Sequence, residues 1–392
     1  MHALYLAWNY IVFNKLRTFI LVTCVTLIAV LPISLEVLLD ESEEQLLSRA
    51  QSTPLLLGAK GSALDLVMNS LYFDDEVPEL ISMAAVDKVL TSGLADPIPL
   101  YIRFNARRFS IVGTTLDYFD FRKLSVQQGR QFAMLGECVL GATVAESLGL
   151  KAGDTLLSSP ETVFDLAGIY PLKMKVAGVL KRSHTPDDLA IFVDLKTTWI
   201  IEGLVHGHQD VNRVTDETLI MQRTETGVVA SPKLFQYNQI SQDNIDSFHF
   251  HGDASLYPIT AVIVVPNDIK SSTILRGRYL DKMSANQIVL PEKVIDGLLQ
   301  NIFRIKNILD ATIVIVGVAT ILALILVFSL SLRLRQREMH TIFKLGSSRM
   351  TVVYLLGAEI LIIGLLASII CFVLFLIVNT YSSDIVRALL IN

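Results

Sequence analysis

Residues Arg333–Met350 read RLRQREMHTIFKLGSSRM and lie between two long apolar runs, Ala311–Leu332 and Val352–Val378. The stretch sets Arg333, Arg335, Arg337, Lys344 and Arg349 against a single acid, Glu338. Two apolar runs of spanning length joined by a short basic loop predict a transmembrane hairpin. Its turn lies in the cytoplasm, because Lys and Arg flanking a span are retained there. Within the turn, Met339, Ile342, Phe343 and Leu345 recur at helical spacing until Gly346-Ser347-Ser348 ends the pattern. The expectation is an amphipathic helix across the inner membrane face, placed to receive a partner.

Composition sets the frame around this hairpin. At 392 residues and 52% hydrophobic, with a mean hydropathy of +0.51, the chain is too apolar for a soluble protein. With 18% charged residues it is too mixed for one wholly in lipid. A few spans plus one large polar domain satisfy both limits. The net charge of −5 hides an asymmetry: bases sit beside the apolar runs on one side, and acids gather beyond Leu35. No basic stripe interleaved with aromatics occurs, so a nucleic-acid partner is not expected. Of the three cysteines, Cys24 and Cys371 fall in apolar runs. Cys138 is thus alone in the polar part, which must be held by its core rather than by a bridge.

Toward the N-terminus, residues 1–18 place Leu4, Trp8, Ile11 and Val12 at helical spacing and end in Lys15 and Arg17. That predicts a cytoplasmic interfacial helix feeding transmembrane helix 1 over residues 18–39. The run outlasts a signal-peptide core and has no small-residue cleavage site after it, which argues against removal. Lys15 and Arg17 on one side face Glu36, Asp40, Glu41, Glu43 and Glu44 on the other, so residue 40 is outside. Good helix formers continue to Ala50, predicting a helical stalk over 40–51.

Residues 52–308 read as the extracytoplasmic domain. Strand patterning recurs at Pro97–Phe104, Arg108–Gly113, Lys173–Leu180, Ala190–Leu195 and Ile259–Val265. Helical stretches intervene at Ser62–Leu71, Ala142–Leu148 and Pro291–Asn301. The fold class expected is a membrane protein with three transmembrane α-helices and a large α+β extracytoplasmic domain of two lobes, inserted between helices 1 and 2. Transmembrane helix 2 occupies 309–332, the coupling loop 333–351, transmembrane helix 3 residues 352–378, and a short external tail 379–392.

The stretch RQREMHTIFKLGSSRMTVVYLLGAEILIIGLLASI resembles the signature of MacB/FtsX-like ABC transporter permeases, a basic RE-x-x-T-x-x-x-LG turn followed by a Glu and a Gly/Ala-rich run. Arg337, Glu338, Thr341, Leu345, Gly346, Glu359 and Gly364 match it. NKLRT before the first span, and GRQF, GECVLGATVAESLGLKAGDTL, KMKVAGVL and DLAIFVDL in the outer domain, resemble the same family. Gly129, Arg130, Gly141, Gly149 and Gly153 stand where that family turns its chain, and the bland reading of these glycines is turns without functional role. The resemblance implies a coupling helix docking on a cytosolic ABC ATPase, with Arg337, Glu338, Phe343, Leu345, Gly346, Arg349 and Glu359 as coupling residues. It further implies a homodimer with two ATPase subunits in the bacterial inner membrane. The family's fourth span has no counterpart in this sequence.

No cofactor for catalysis is expected. Gly58-Ala59-Lys60-Gly61-Ser62 lacks Walker A spacing, and no G-x-S-x-G elbow or H-E-x-x-H pair occurs, so the chain reads as a non-catalytic subunit. Glu359, about two turns into the last run, calls for a structural ion pair or a proton relay. Two H-x-H pairs, His206/His208 and His249/His251, could each offer two imidazoles on one strand face. Together they supply four nitrogens for Zn²⁺, with Asp210 and Asp253 as carboxylate substitutes and His184, Asp187 and Asp188 as a further polar turn; the bland reading is solvated loop histidines. The H-x-H-bearing variety also resembles permeases found with histidine-rich, zinc-binding partners, so a periplasmic metal-binding or substrate-delivering protein is an expected partner. The function expected is a permease subunit passing ATP-driven motion to an outer domain that handles substrate, a metal being one candidate. The alternatives are a non-transporting metal- or protein-sensing scaffold, and a lipoprotein or peptide export subunit.

The charge asymmetry generates a labelling prediction. In intact cells an impermeant thiol reagent should modify Ser382→Cys and leave Ser347→Cys untouched; labelling at Ser347→Cys would invert the topology.

Overall fold

The computed structural model describes residues 2–159, 171–207, 220–224, 227–230, 239–242, 244–250, 252–281, 284–334 and 349–390. It divides into two compact units, one of residues 1–46 with 297–392, the other Leu47–Asp296.

The first unit is helical. Helix α1 (His2–Phe13) precedes α2 (Lys15–Gln51), which remains helical through Pro32 and on through the expected stalk. Ile11, Leu21 and Val22 pack with Ile363 and Ala367 of the last helix, while Trp8 and Phe19 are exposed. The interfacial stripe is therefore divided, with Ile11 inward and Trp8 outward. Among the described residues, Thr18–Gln51 and Val353–Ser382 are the helices long and apolar enough to cross a membrane.

The outer unit begins with β1 (Leu55–Ala59), α3 (Ala63–Val67), a π-turn at Met68–Tyr72, β2 (Ile81–Ser82) and α4 (Ala84–Ser92). Next come β3 (Ala95–Ala106), β4 (Phe109–Thr114), α5 (Asp117–Arg122), β5 (Val126–Gly129), β6 (Glu137–Leu140), α6 (Ala142–Leu148) and β7 (Thr155–Leu157). Strands β8 (Lys173–Leu180) and β9 (Ile191–Asp194), helix α7 (Leu195–Ile201) and strand β10 (Val205–Gly207) lead to the short hairpin of β11 (Ile220–Thr224) and β12 (Gly227–Ala230). The unit closes with β13 (Phe248–Phe250), β14 (Pro258–Ile259), β15 (Ala261–Pro266), α8 (Ile269–Arg278) and β16 (Asn286–Val289). Helix α9 (Pro291–Leu334) and helix α10 (Arg349–Leu390) follow.

The main sheet has ten strands in the order β16-β1-β15-β3-β4-β9-β6-β8-β5, with β7 on β8, and consists of two half-sheets that meet at β3. Strand β3 has 12 residues, which serve two partners in succession. Ala95–Leu100 pairs with β15, and Tyr101–Ala106 pairs with β4 across an irregularity at Ile102/Phe104. A strand shared in this way joins two half-sheets, and the buried side chains of both halves form one continuous core. Two boundaries move. Pro291–Asn301, read as a domain helix, is the start of α9 and continuous with the apolar run from 311 to 332. The stretch read as a tail after Val378 continues α10 to Leu390.

Gly129 illustrates how tightly the sheet is drawn at β5. Its φ is +79°, and a Cβ there would collide with the carbonyl oxygen of Ala177 in β8. Gly129→Ala should cost about 2 kcal/mol, the strain of a left-handed non-glycine residue held by its surroundings. A lowered thermal unfolding midpoint of the purified chain, against no change for Gly61→Ala in open space, would show it.

Candidate functional site

The last turn of α2 carries Arg49, which the sequence presents as one more polar residue of a stalk. It is 6% exposed. A buried guanidinium is tolerated only when its donors are matched, and here four of its five N–H groups are. Nη1 donates to Asp187 Oδ2 at 2.6 Å and Nη2 to Asp187 Oδ1 at 2.9 Å, a bidentate fork. Nη2 also donates to the Tyr118 hydroxyl at 3.0 Å, and Nε to the Leu71 carbonyl at 2.5 Å. Tyr118 in turn donates to Asp187 Oδ1 at 2.7 Å. The Phe73 ring lies 5.5 Å from the guanidinium carbon.

The receiving turn is shaped to hold the carboxylate. Thr185 caps the turn Pro186–Leu189 by accepting from the Asp187 amide, and its hydroxyl donates to Asp187 Oδ2 at 2.8 Å. Asp188 accepts from the backbone amides of Ser183 and His184, both at 2.8 Å. Gly141 lies against this turn, where a Cβ would collide with the carbonyl oxygens of Asp187 and Asp188. It therefore serves close approach rather than a turn of its own. A second arginine, Arg122 of α5, donates to Ser52 Oγ at 3.0 Å and Thr53 Oγ1 at 2.8 Å, just past the end of α2. Burial pushes the Asp187 carboxyl up, but the charge and hydrogen bonds of Arg49 outweigh it and hold the group below its ordinary value. Burial, reinforced by that carboxylate, raises the Tyr118 phenol to about 12.

This arrangement corrects one expectation. The polar turn of His184, Asp187 and Asp188 is not a metal-ligand set, because Asp187 is matched to Arg49 and Asp188 to backbone amides. Asp253 is likewise engaged, accepting from the Ser255 amide at 2.9 Å as a helix cap. Arg130, quoted with the family-like glycines, forks onto Glu137 at 2.7 and 2.6 Å. Of the coupling residues, Arg337, Glu338, Phe343, Leu345 and Gly346 lie outside the described residues. Arg349 opens α10, and Glu359 is buried at 3% exposure in the helical unit.

One histidine of each pair falls on a strand, and the two strands are hydrogen-bonded to each other. Strands β10 and β13 are antiparallel, with His206 directly opposite His249. His208, His251 and Asp210 lie outside the described residues. Among the described residues no group of three or more His, Cys, Asp or Glu is placed to hold a metal.

Residues 48–232 match the family described as the MacB-like periplasmic core domain. Those residues of the chain are thus a MacB-like periplasmic core domain. The MacB-like match begins one residue before Arg49 and takes in Tyr118, Arg122 and Asp187, so the whole socket lies within it. Two solved structures show likeness to the MacB-like domain. The periplasmic region of MacB from Actinobacillus actinomycetemcomitans is 12% identical, with a TM-score of 0.35 over 65% of this chain and 98% of that one. The extracellular domain of the noncanonic ABC-type transporter YknZ from Gram-positive bacteria is 16% identical, with a TM-score of 0.33 over 60% and 98%. No curated protein sequence matches.

Removing one partner of a buried ion pair strands the other, so Asp187→Asn should destabilise the chain by about 3 kcal/mol. Tyr118→Phe, which removes one hydroxyl, should cost about 1 kcal/mol. Because the folded-state pKa of Asp187 is depressed, its contribution is present above the unfolded value of about 3.9 and is lost as pH falls through the folded value. Denaturant titrations at pH 7 and at pH 3 should therefore show the gap between wild type and Asp187→Asn narrowing at the lower pH.

Proposed function

We propose that the protein is the transmembrane permease subunit of an ABC-type transporter complex in the bacterial inner membrane, its outer domain on the periplasmic side. The observation that carries this reading is α2, one helix from Lys15 to Gln51. It contains an apolar span and ends at Arg49 in the socket of a MacB-like domain. A helix held by matched buried charges cannot slide or rotate in its seat without stranding them, so displacement of α2 is passed to the outer domain.

In this reading α2, α9 and α10 are the three spans, and the segment between α9 and α10 is the coupling helix. Arg337, Glu338, Phe343, Leu345, Gly346 and Arg349 meet a cytosolic ATPase dimer there, with Glu359 anchoring the start of α10. The chain itself hydrolyses nothing. The cleft between α2 and α10 supports handling of substrate outside the membrane. Its lining is apolar or small, with Val25, Ala29 and Ile33 facing Ala367, Cys371 and Phe372, and it offers none of the broken-helix polar groups that hold solutes at the midplane. The functional unit is a homodimer within lipid, served by a periplasmic substrate-delivering protein.

The test is co-purification from mild detergent and ATP hydrolysis by the captured ATPase. Arg337→Glu combined with Arg349→Glu should lower both, as should Phe343→Pro, since an interior proline costs a helix about 3 kcal/mol. The unfolding midpoint of the outer domain should not change. Variants that keep wild-type ATPase capture and stimulated hydrolysis would overturn the coupling-helix assignment.

A further inference from the structure

The socket at the end of α2 holds two arginines, and Asp187 is the one carboxylate that pairs with either among the described residues. Arg49 takes it with both Nη atoms. Arg122, the last residue of α5, holds two neutral hydroxyls instead, those of Ser52 and Thr53. Its Nε is buried without a hydrogen bond. The Arg122 guanidinium carbon lies 4.8 Å from the centre of the Phe121 ring and 5.9 Å from that of Tyr118. Tyr118 is one helical turn before Arg122, on the same face of α5, and its hydroxyl donates to Asp187. Burial lowers the pKa of Arg122 and the Arg49 charge lowers it further, against the pull of Tyr118 and Asp187.

The hydroxyls that hold Arg122 are themselves tied to Arg49. Ser52 Oγ donates to the Arg49 carbonyl at 2.8 Å, and Thr53 Oγ1 donates to the same carbonyl at 3.0 Å. Lifting the last turn of α2 from the socket therefore takes Arg49 from Asp187 and the hydroxyls from Arg122 in one event. A buried carboxylate would be left without its cation, beside a cation that has lost its acceptors.

We propose that Arg122 is the reserve counter-ion of Asp187: when the end of α2 leaves its seat, the Arg122 side chain turns past Tyr118 onto the carboxylate, and it yields the carboxylate when Arg49 returns. Arginine suits this exchange, because a long stem carries a planar fork that matches a carboxylate in two-point geometry. A small shift of α2 within its seat strands the pair, whereas full withdrawal replaces one fork by the other. The seat is then a latch with two charge-matched states. The exchange needs no ATPase, so the purified chain tests it apart from the permease reading.

The experiment is chemical denaturation of the full-length chain in detergent. Arg49→Gln removes the first fork, Arg122→Gln keeps amide donors but no charge, and Arg122→Lys keeps the charge. A charged acceptor holds a donor about twice as strongly as a neutral one, so Arg122 should change partners in the Arg49→Gln chain even with Ser52 and Thr53 in place. Arg122→Gln should then lower the folding equilibrium constant at least about tenfold more in the Arg49→Gln chain than in wild type. Arg122→Lys in that background should recover most of the loss. A crystal structure of the Arg49→Gln chain should show the Arg122 fork on Asp187. Equal losses from Arg122→Gln in both backgrounds would overturn the proposal, as would an Arg122 fork still on Ser52 and Thr53 in the Arg49→Gln structure. An Arg49→Gln chain that does not fold, or folds only once Asp187→Asn is added, would overturn it too, since Asp187 would then have no second partner.

Discussion

The guanidinium of Arg49 is the constraint on which the outer unit turns. Taking a full charge out of water is costly enough that its donors must find acceptors, and the acceptors come from three separate segments: Leu71, Tyr118 and Asp187. Meeting that demand fixes where the π-turn ends, where α5 lies and how the turn before β9 is shaped. Arg122 adds a second positive charge beside the first and donates to the side-chain hydroxyls of Ser52 and Thr53 just past the end of α2. The result is a helix end whose position is set by charge matching as well as by apolar contact. Apolar contacts tolerate small slips, whereas a bidentate fork does not.

From this socket a short, continuous stretch leads to the opposite feature of the domain. Asp187 lies in the turn that feeds β9, which sits inside the sheet between β4 and β6. Strand β9 runs into α7, whose Trp199 carries the Tyr257 stack, and α7 runs into β10 with His206. The cap of α7 is Asp194, whose side chain accepts from the Lys196 amide, so the strand-to-helix corner is itself hydrogen-bonded. The Arg49 socket and strand β10 are therefore joined by one run of buried strand and helix. The shared strand β3 belongs to both halves of the sheet at once.

Much of the architecture was legible along the chain. Hydropathy located the two helices that, among the described residues, are long and apolar enough to cross a membrane, and strand and helical patterning located β8 and α6 at the residues where they are found, Lys173–Leu180 and Ala142–Leu148. Nearby readings such as Pro97–Phe104 and Ile259–Val265 fell within a residue or two of β3 and β15 at one end or both. The H-x-H pairs stood out by spacing, but spacing could not tell whether they met. Arg49 carried no mark at all, since a lone arginine among Leu, Ser and Ala reads as a solvated stalk residue. Asp187 and Asp188 looked like free carboxylates for the converse reason: their partners lie elsewhere in the chain or on the backbone.

What the sequence determined by itself is what depends on neighbours along the chain: apolar length, charge bias across a span, helical and strand periods, and turn glycines. Tertiary structure decided everything that depends on partners far apart. Arg49 and Asp187 are 138 residues apart, and His206 meets His249 through strand register. Likewise β3 bridges two half-sheets because different partners claim its two ends. Local free energies leave a periodic trace in composition, whereas a buried ion pair or a cross-strand register is fixed only when the closed chain brings the groups together and removes the water between them.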